Sequence, residues 1–262
     1  MYDILANLLY RIIVYRNQCM SLIAKPIFYK DIPIVINNRN RLTFLKRQIE
    51  ALRKRGYNNI YILDNASTYG PLLDYYNITD CEVIMLGKNR GYDALEQIPL
   101  FNSIKKNYFV YTDSDIVPID DCPDDFLKFY LETLKKYPKI QKVGFSLKID
   151  DLPHSFADKQ KVIDWESQFF KEKVDKGLFL APIDTTFALH RPYARISTKG
   201  RFKMIRTESP YTAYHMPWYN DSENLSDEEK FYIDNVEIGT HWSKGFGVEN
   251  KSFLQRLFAR NS

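Results

Sequence analysis

Along the middle of the chain, short apolar runs alternate with stretches whose apolar residues fall at helical spacing. Residues 32–36 are apolar and end in polar Asn37-Asn38-Arg39-Asn40. Residues 43–55 then place Leu45, Ile49 and Leu52 on one helical face before Gly56, a natural helix stop. A second buried strand is predicted over 59–63, closed by Asp64-Asn65-Ala66-Ser67. A third is predicted over 82–86, closed by Gly87-Lys88-Asn89-Arg90-Gly91, and a fourth over 108–111, running into Thr112-Asp113-Ser114-Asp115. This alternation predicts an α/β domain with a mainly parallel sheet flanked by helices. No internal repeat or low-complexity linker interrupts it.

The two ends differ from this centre. Leu5, Leu8, Leu9, Ile12 and Ile13 form a helical stripe. Asn7, Arg11, Arg16, Asn17 and Gln18 break it well short of the ~20 apolar residues that a membrane span needs. At the other end Phe253, Leu254, Leu257 and Phe258 lie beside Lys251, Arg256 and Arg260. Both stripes fit helices lying on an anionic membrane surface, and both fit helices docking on a core. The expected organisation is an amphipathic helical segment at 1–30, one domain at 31–250 and a basic amphipathic tail at 251–262.

Composition narrows the partners. A chain of 262 residues, 45% hydrophobic and 27% charged, is of ordinary globular type. Its net charge of +4 is scattered, with no Lys/Arg track, so nucleic acid is not an expected partner. Cys19, Cys81 and Cys122 are odd in number and lack metal-type spacing, which reads as packing in a reducing compartment. The chain does not open on a basic segment, an apolar core and a small-residue cleavage site. The expected location is therefore cytoplasmic, with the terminal stripes pointing to the inner face of the cell membrane.

In open α/β sheets ligands collect beyond the carboxyl ends of the strands. Here each predicted strand ends in polar or charged residues: Asn37, Asp64, Asn89 with Arg90, and Asp113 with Asp115. Two carboxylates one residue apart point to the same side if the segment stays extended, and their repulsion calls for a cation. Hard divalent ions commonly take one or two carboxylates plus substrate phosphates. Solvated loop acids account for the aspartate pair alone but less well for four such ends together.

These segments resemble the nucleotide-sugar glycosyltransferases of the GT-A fold, most closely the broad family 2 type. The likeness covers roughly residues 31–120. It is carried by Pro33-Ile34-Val35-Ile36-Asn37-Asn38-Arg39, Ile62-Leu63-Asp64-Asn65-Ala66-Ser67-Thr68, Asn89-Arg90-Gly91 and Asp113-Ser114-Asp115. It implies a single GT-A (Rossmann-like) domain in which residues 31–120 bind the nucleotide sugar and residues 121–250 the acceptor. By position, Asn37, Arg39, Asp64 and Asn89 would hold the nucleotide, with Asp64 on the base. Asp115 would ligate Mn2+ or Mg2+, Asp113 would contact ribose or sugar and share the metal, and Arg90 would touch the donor sugar or diphosphate.

The second half departs from the family 2 pattern, having no plain Glu-Asp pair followed by a basic helix. Two stretches compete to supply the catalytic base, 181–189 with Asp184 and 206–219 with Glu208. Asp184 is favoured because its segment is similar to the family's acceptor-lining strand. His215 resembles the late histidine that completes the metal site in many such enzymes, although a histidine among aromatics also fits a core position. Trp165, Tyr211, Tyr214, Trp218, Tyr219 and Trp242 are candidate stacking surfaces for sugar rings. The pair Tyr214 and Trp218 comes first, then Trp165-Glu166, then His241-Trp242. Residues 221–230 read as an exposed loop entering a helix through a Ser226/Glu229 capping box, with no chemistry of their own. Gly245, Gly247 and residues 197–201 are candidate closing loops.

The activity implied is metal-dependent transfer of a sugar from a nucleoside-diphosphate sugar to a glycan or lipid-linked glycan, in surface polysaccharide synthesis. One base and one displacement invert the anomeric configuration, whereas a nucleophilic carboxylate or attack on the leaving-group face retains it. A sugar-1-phosphate nucleotidyltransferase would need a glycine-rich phosphate cradle after the first strand, and residues 37–41 contain no glycine. The remaining rival is a noncatalytic carbohydrate-binding or membrane scaffold of the same fold, separated from the enzyme by its lack of donor hydrolysis.

Overall fold

The computed structural model describes residues 2–196 and 202–236. The predicted tail at 251–262, the loops at 197–201, Gly245 and Gly247, and the His241-Trp242 pair lie outside these residues. The described chain opens with helix α1 (Tyr2–Ile23) and then alternates strand and helix: β1 (Ile34–Asn38), α2 (Thr43–Lys54), β2 (Ile60–Asp64), α3 (Gly70–Tyr76), β3 (Glu82–Met85), α4 (Leu100–Ile104) and β4 (Phe109–Asp113). The short β5 (Ile116–Pro118) leads to α5 (Phe126–Lys136), β6 (Lys142–Leu147) and α6 (Lys159–Ser167). Four strands follow, β7 (Lys173–Asp175), β8 (Leu178–Leu180), β9 (Ala188–His190) and the long β10 (Met204–His215), and then α7 (Asp227–Asp234).

The strands form one sheet in the order β3-β2-β1-β4-β9-β6-β10-β8-β7, with β5 paired to β10. From β3 to β4 every neighbouring pair is parallel, as the alternation predicts. Beyond β4 the pattern changes. β9 runs antiparallel between β4 and β6, β10 runs parallel to β6, and β8 and β7 close that edge with antiparallel pairs.

Both faces of β1, β2 and β4 are covered, as their apolar sequences require, whereas β3 at the sheet edge leaves Glu82 and Met85 exposed and is not the buried strand expected. Ile34, Ile36, Ile62 and Val110 pack with Leu45, Ile49 and Leu52 of α2. The alternate residues Val35, Leu63, Phe109 and Tyr111 pack with Ala94, Leu95 and Ile104 on the other face, following the two-residue period of a strand. Gly56 ends the α2 turn at φ +81, a backbone region that costs glycine little. At Gly144 a Cβ would stand 2.4 Å from the Phe187 carbonyl oxygen, so this residue sets how closely β6 approaches the β9 segment. The three cysteines are free thiols, with Cys81 and Cys122 buried, and burial raises both of their pKa values, Cys122 to about 12.

Candidate active site

The register of the parallel strands brings the polar ends together. Asn37 of β1 lies opposite Asp113 of β4, and Asn38 lies opposite Asp64 of β2. After Asp113 the chain turns, so the condition under which Asp113 and Asp115 would share one side of an extended strand is not met. The turn is held by Gln48 of α2. Its side-chain amide donates to the carbonyls of Asp113 (2.9 Å) and Ile116 (2.6 Å) on either side of Asp115. Gln48 is fully buried and went unnoticed in the sequence, where it appears only as a polar residue on an amphipathic helix.

Asp113 is an acceptor at both oxygens. The Thr185 hydroxyl donates to Oδ2, and the Asn37 amide lies 3.5 Å from Oδ1. Its backbone N–H donates to the Thr185 carbonyl at 2.9 Å, which fastens the loop before β9 to the end of β4. Burial, with the negative charges of Asp115 and Asp184, pushes the Asp113 carboxyl up to about 8. Three carboxylates, Asp113, Asp115 and Asp184, therefore interact across the strand ends.

His215, the last residue of β10, pairs with Ile116 of β5, so its imidazole faces the turn that carries Asp115. Nε2 lies 3.7 Å from Asp115 Oδ2, and Nδ1 is buried with no hydrogen-bond partner among the described residues. Burial lowers the His215 pKa, opposed by Asp115 and assisted by Arg41, which favours the neutral ring. A neutral imidazole nitrogen and a carboxylate oxygen at this separation are too far apart for a hydrogen bond. They are close enough for both to ligate one ion at roughly 2 Å each, and both are ligand types that divalent manganese accepts. Among the described residues no group of three or more His, Cys, Asp or Glu side chains is disposed to hold a metal. Asp115 and His215 thus fit as a two-ligand set that needs oxygen ligands from a substrate.

Asp184 is exposed, and the loop that carries it is fixed from below by two buried cations. Lys142, only 1% exposed, donates from Nζ to the Asp184 carbonyl at 3.2 Å. Arg206 donates from Nε to the Pro182 carbonyl at 2.8 Å and pairs with Glu166 of α6 at 2.6 Å. Burial lowers Lys142 to about 8, with Asp184 pulling it up and Arg206 pushing it further down. Glu208 lies elsewhere. It sits exposed in the irregular stretch of β10 between Thr207 and Thr212, its backbone N–H donating to Gly177 at the β7–β8 hairpin. It is not among the charges that act on Asp113.

The nucleotide-side residues are placed together but are largely engaged with one another. Asp64 is 0% exposed. One of its oxygens accepts from the Ser67 N–H and the other from the Tyr76 hydroxyl, each at 3.0 Å. It shapes the β2–α3 loop and presents no free oxygen of the kind expected for a base contact. Asn65 links that loop to the next, donating to the Gly91 carbonyl (3.0 Å) and accepting from the Arg90 N–H (2.6 Å). The Asn89 side chain accepts from the Gly91 N–H within its own turn. The Arg90 Nε is buried without a hydrogen-bond partner among the described residues. Arg39 donates to the Asn235 carbonyl at 3.4 Å.

Residues 221–226 form a loop entering helix α7, as the sequence predicts, but two acids of that helix are not solvated. Ser226 caps it by accepting from the Glu229 N–H, as the capping box predicts, but Glu228 and Glu229 are buried. Glu228 accepts from the Leu42 N–H, the Thr43 N–H and the Thr43 hydroxyl at 2.7, 2.9 and 2.7 Å, at the positive end of α2. Glu229 forms an ion pair with Arg41, whose guanidinium also lies 3.8 Å from the centre of the Tyr232 ring. Burial pulls Arg41 down, but Tyr232, Glu229 and Asp115 outweigh it and leave the pKa raised. This anchors α7 beside the residues that hold Asp113 and Asp115.

The leading candidate for sugar stacking fails on burial. Trp218 is 2% exposed and packs against His215 at a ring separation of 4.5 Å, so it backs the site and does not face a ligand. Tyr214 is half-buried and meets Tyr219 edge-on. Trp165 keeps an exposed face, while its neighbour Glu166 is taken by Arg206.

Neither a protein-family model nor a curated protein matches the chain. Among solved structures it is similar to glucosyl-3-phosphoglycerate synthase from Mycobacterium tuberculosis in complex with phosphoglyceric acid. The identity is 14%, the match covers 68% of this chain and 61% of that one, and the TM-score is 0.36. It is also similar to a mycobacterial protein, at 13% identity over 82% of this chain and 73% of the other, with a TM-score of 0.40. The chain thus spans about three fifths of the synthase it matches.

Proposed function

We propose that the protein is a GT-A-type glycosyltransferase that moves a sugar from a nucleoside-diphosphate sugar to a hydroxyl of a glycan or lipid-linked glycan, using Mn2+ or Mg2+. The observation that carries this reading is the approach of a half-buried imidazole to a carboxylate, His215 to Asp115, beside Asp113 and Asp184 at the carboxyl ends of parallel strands. A divalent ion held there by Asp115 and His215 would supply Lewis-acid stabilisation of the departing diphosphate, an effect worth several kcal/mol.

The chain's own groups do the rest. Thr185 and Asn37 orient the Asp113 carboxyl toward the donor ribose or sugar. Asp184, exposed on a loop held by Lys142 and Arg206, takes the acceptor proton, and with a single base and a single displacement the transfer inverts. Asn65 ties the loops at 64–69 and 87–91 into one wall for the nucleotide. Glu208 takes no part in this scheme.

The test is a thermal-shift screen of nucleotide sugars with and without manganese, followed by a donor-hydrolysis assay on the best binder. A donor that binds only the folded protein raises its melting temperature in proportion to RT ln(1 + [L]/Kd). The expected result is a manganese-dependent shift and slow hydrolysis, both lost in Asp115→Ala with the fold intact. Full manganese-dependent hydrolysis by Asp115→Ala would refute the assignment, and glycan binding without turnover under any condition would favour the scaffold.

A further inference from the structure

The body of the protein covers one side of helix α1 and leaves the opposite, apolar side uncovered. The covered side carries Val14, which is buried, and Asn17, which donates to Gln141 at 2.7 Å. Tyr10 meets the Phe202 ring edge-on, and Ser21 accepts from Arg191. On the other side Ile4, Leu5, Leu8, Leu9, Ile12 and Tyr15 are 54 to 75% exposed. Leu22 and Ile23 extend the same face, at 85 and 72%. At 3.6 residues per turn these eight positions occupy an arc of roughly 140°. Scattered exposed apolar residues are ordinary, but a contiguous helical face of this size marks an interaction surface.

Charge identifies the partner. Arg11 borders the apolar arc at one edge, Arg16 lies just inside the other, and both are exposed, where long basic side chains lie along apolar surface and place their charge at a polar interface. The only acidic residue in α1 is Asp3, at its start. Past the end of the helix, the Lys25 carbonyl accepts from Asn107, which brings Lys25 beside Lys105 and Lys106. Arg16 reaches the same cluster through Tyr193, to whose carbonyl it donates and whose N–H bonds the Lys105 carbonyl. An apolar face rimmed by cations is the pattern of a helix lying in the plane of an anionic bilayer. No helix among the described residues is long and apolar enough to cross one.

We infer that α1 docks the protein on an anionic lipid surface through Ile4, Leu5, Leu8, Leu9, Ile12 and Tyr15. This stands independently of the transferase reading. The α1 contacts at Gln141, Arg191 and Phe202 lie next to the start of β6, the end of β9 and the start of β10, the end of the sheet opposite to Asn37, Asp64 and Asp113. The docked protein therefore presents its strand-end site away from the lipid.

The experiment is flotation of the full chain with phosphatidylcholine vesicles, with and without phosphatidylglycerol. The wild type is expected to float with the anionic vesicles. Leu8→Glu/Ile12→Glu, which alters only exposed positions, should lower partition at least ~10-fold while leaving circular dichroism and melting unchanged. Lys25→Glu/Lys106→Glu should weaken flotation on anionic vesicles and leave neutral vesicles unaffected. The inference is overturned if the wild type stays in the aqueous fraction with both vesicle types, or if the Leu8/Ile12 variant floats as well as the wild type. A dimer that this variant dissolves, without vesicle binding, would assign the face to a second copy. Flotation only after removal of residues 237–262 would assign it to that segment. Either result overturns the lipid reading.

Discussion

The two halves of the sheet treat their acids differently. In the parallel half Asp64 has both oxygens committed to Ser67 and Tyr76, and Asn40 and Asn65 are likewise spent on joining loops. In the mixed half Asp184 is exposed on a braced loop, and His215 brings its Nε2 to 3.7 Å from Asp115. In the proposed reaction the parallel strands give the wall and, at the end of β4, Asp113, while the turn after β4 adds Asp115 and the later segments add Asp184 and His215. The contrast shows that a charged residue at a strand end is informative only once the occupants of its lone pairs are known.

The sharpest way to break this comparison is to remove one acid from each half. Asp184→Asn is expected to lower sugar transfer by ~10²–10⁴-fold, the usual worth of a positioned general base, with donor binding retained in the thermal-shift assay. Glu208→Gln should leave transfer within about twofold of wild type, because its side chain lies outside the carboxylate group. The reverse ranking in a steady-state assay would move the base to Glu208, within the same mixed half.

Asp64→Ala should act on folding instead. Removing the carboxylate leaves the buried Ser67 N–H and Tyr76 hydroxyl without their acceptor, at a cost of roughly 1–3 kcal/mol in denaturant unfolding. Unchanged stability together with lost nucleotide affinity would show Asp64 to be a ligand contact after all.

Stability should also respond to pH. Asp113 is held protonated up to about 8 by burial and by Asp115 and Asp184, whereas in the unfolded chain it titrates near ~3.9. The folded state thus binds the extra proton between those values. Stability is highest below the unfolded pKa, falls as pH rises toward about 8, and flattens beyond it. Asp113→Asn should remove that slope in urea melts across the range, and added manganese should raise the melting temperature more at the alkaline end. A slope that survives in Asp113→Asn would place the titration on another group.

Much of the parallel half was legible in the sequence. The strands β1, β2, β3 and β4 and the helix α2 lie within two residues of the runs that predict them, and for β1, β2 and β4 the reason is that a strand covered on both faces must be largely apolar. The capping box at Ser226 was equally readable, since it involves residues three apart on one backbone turn. The same local reading gave Glu228 and Glu229 no role beyond the cap, and the structure buries them against α2 and Arg41, nearly two hundred residues away in the chain. It also offered Trp218 as a sugar platform, where the structure uses the ring to back His215. Gln48 was invisible for a related reason, because an amide on a helix face does not announce which turn it holds.

By itself the sequence determined which residues alternate, which ends are polar and where two aspartates meet, since those depend on near neighbours and on the periods of strand and helix. Tertiary structure decided which acids are spent and which remain available. Hydrogen-bond partners, burial and the proximity of like charges come from segments far apart in the chain, and those three together set whether a carboxylate at a strand end shapes a loop, supports a fold or does chemistry.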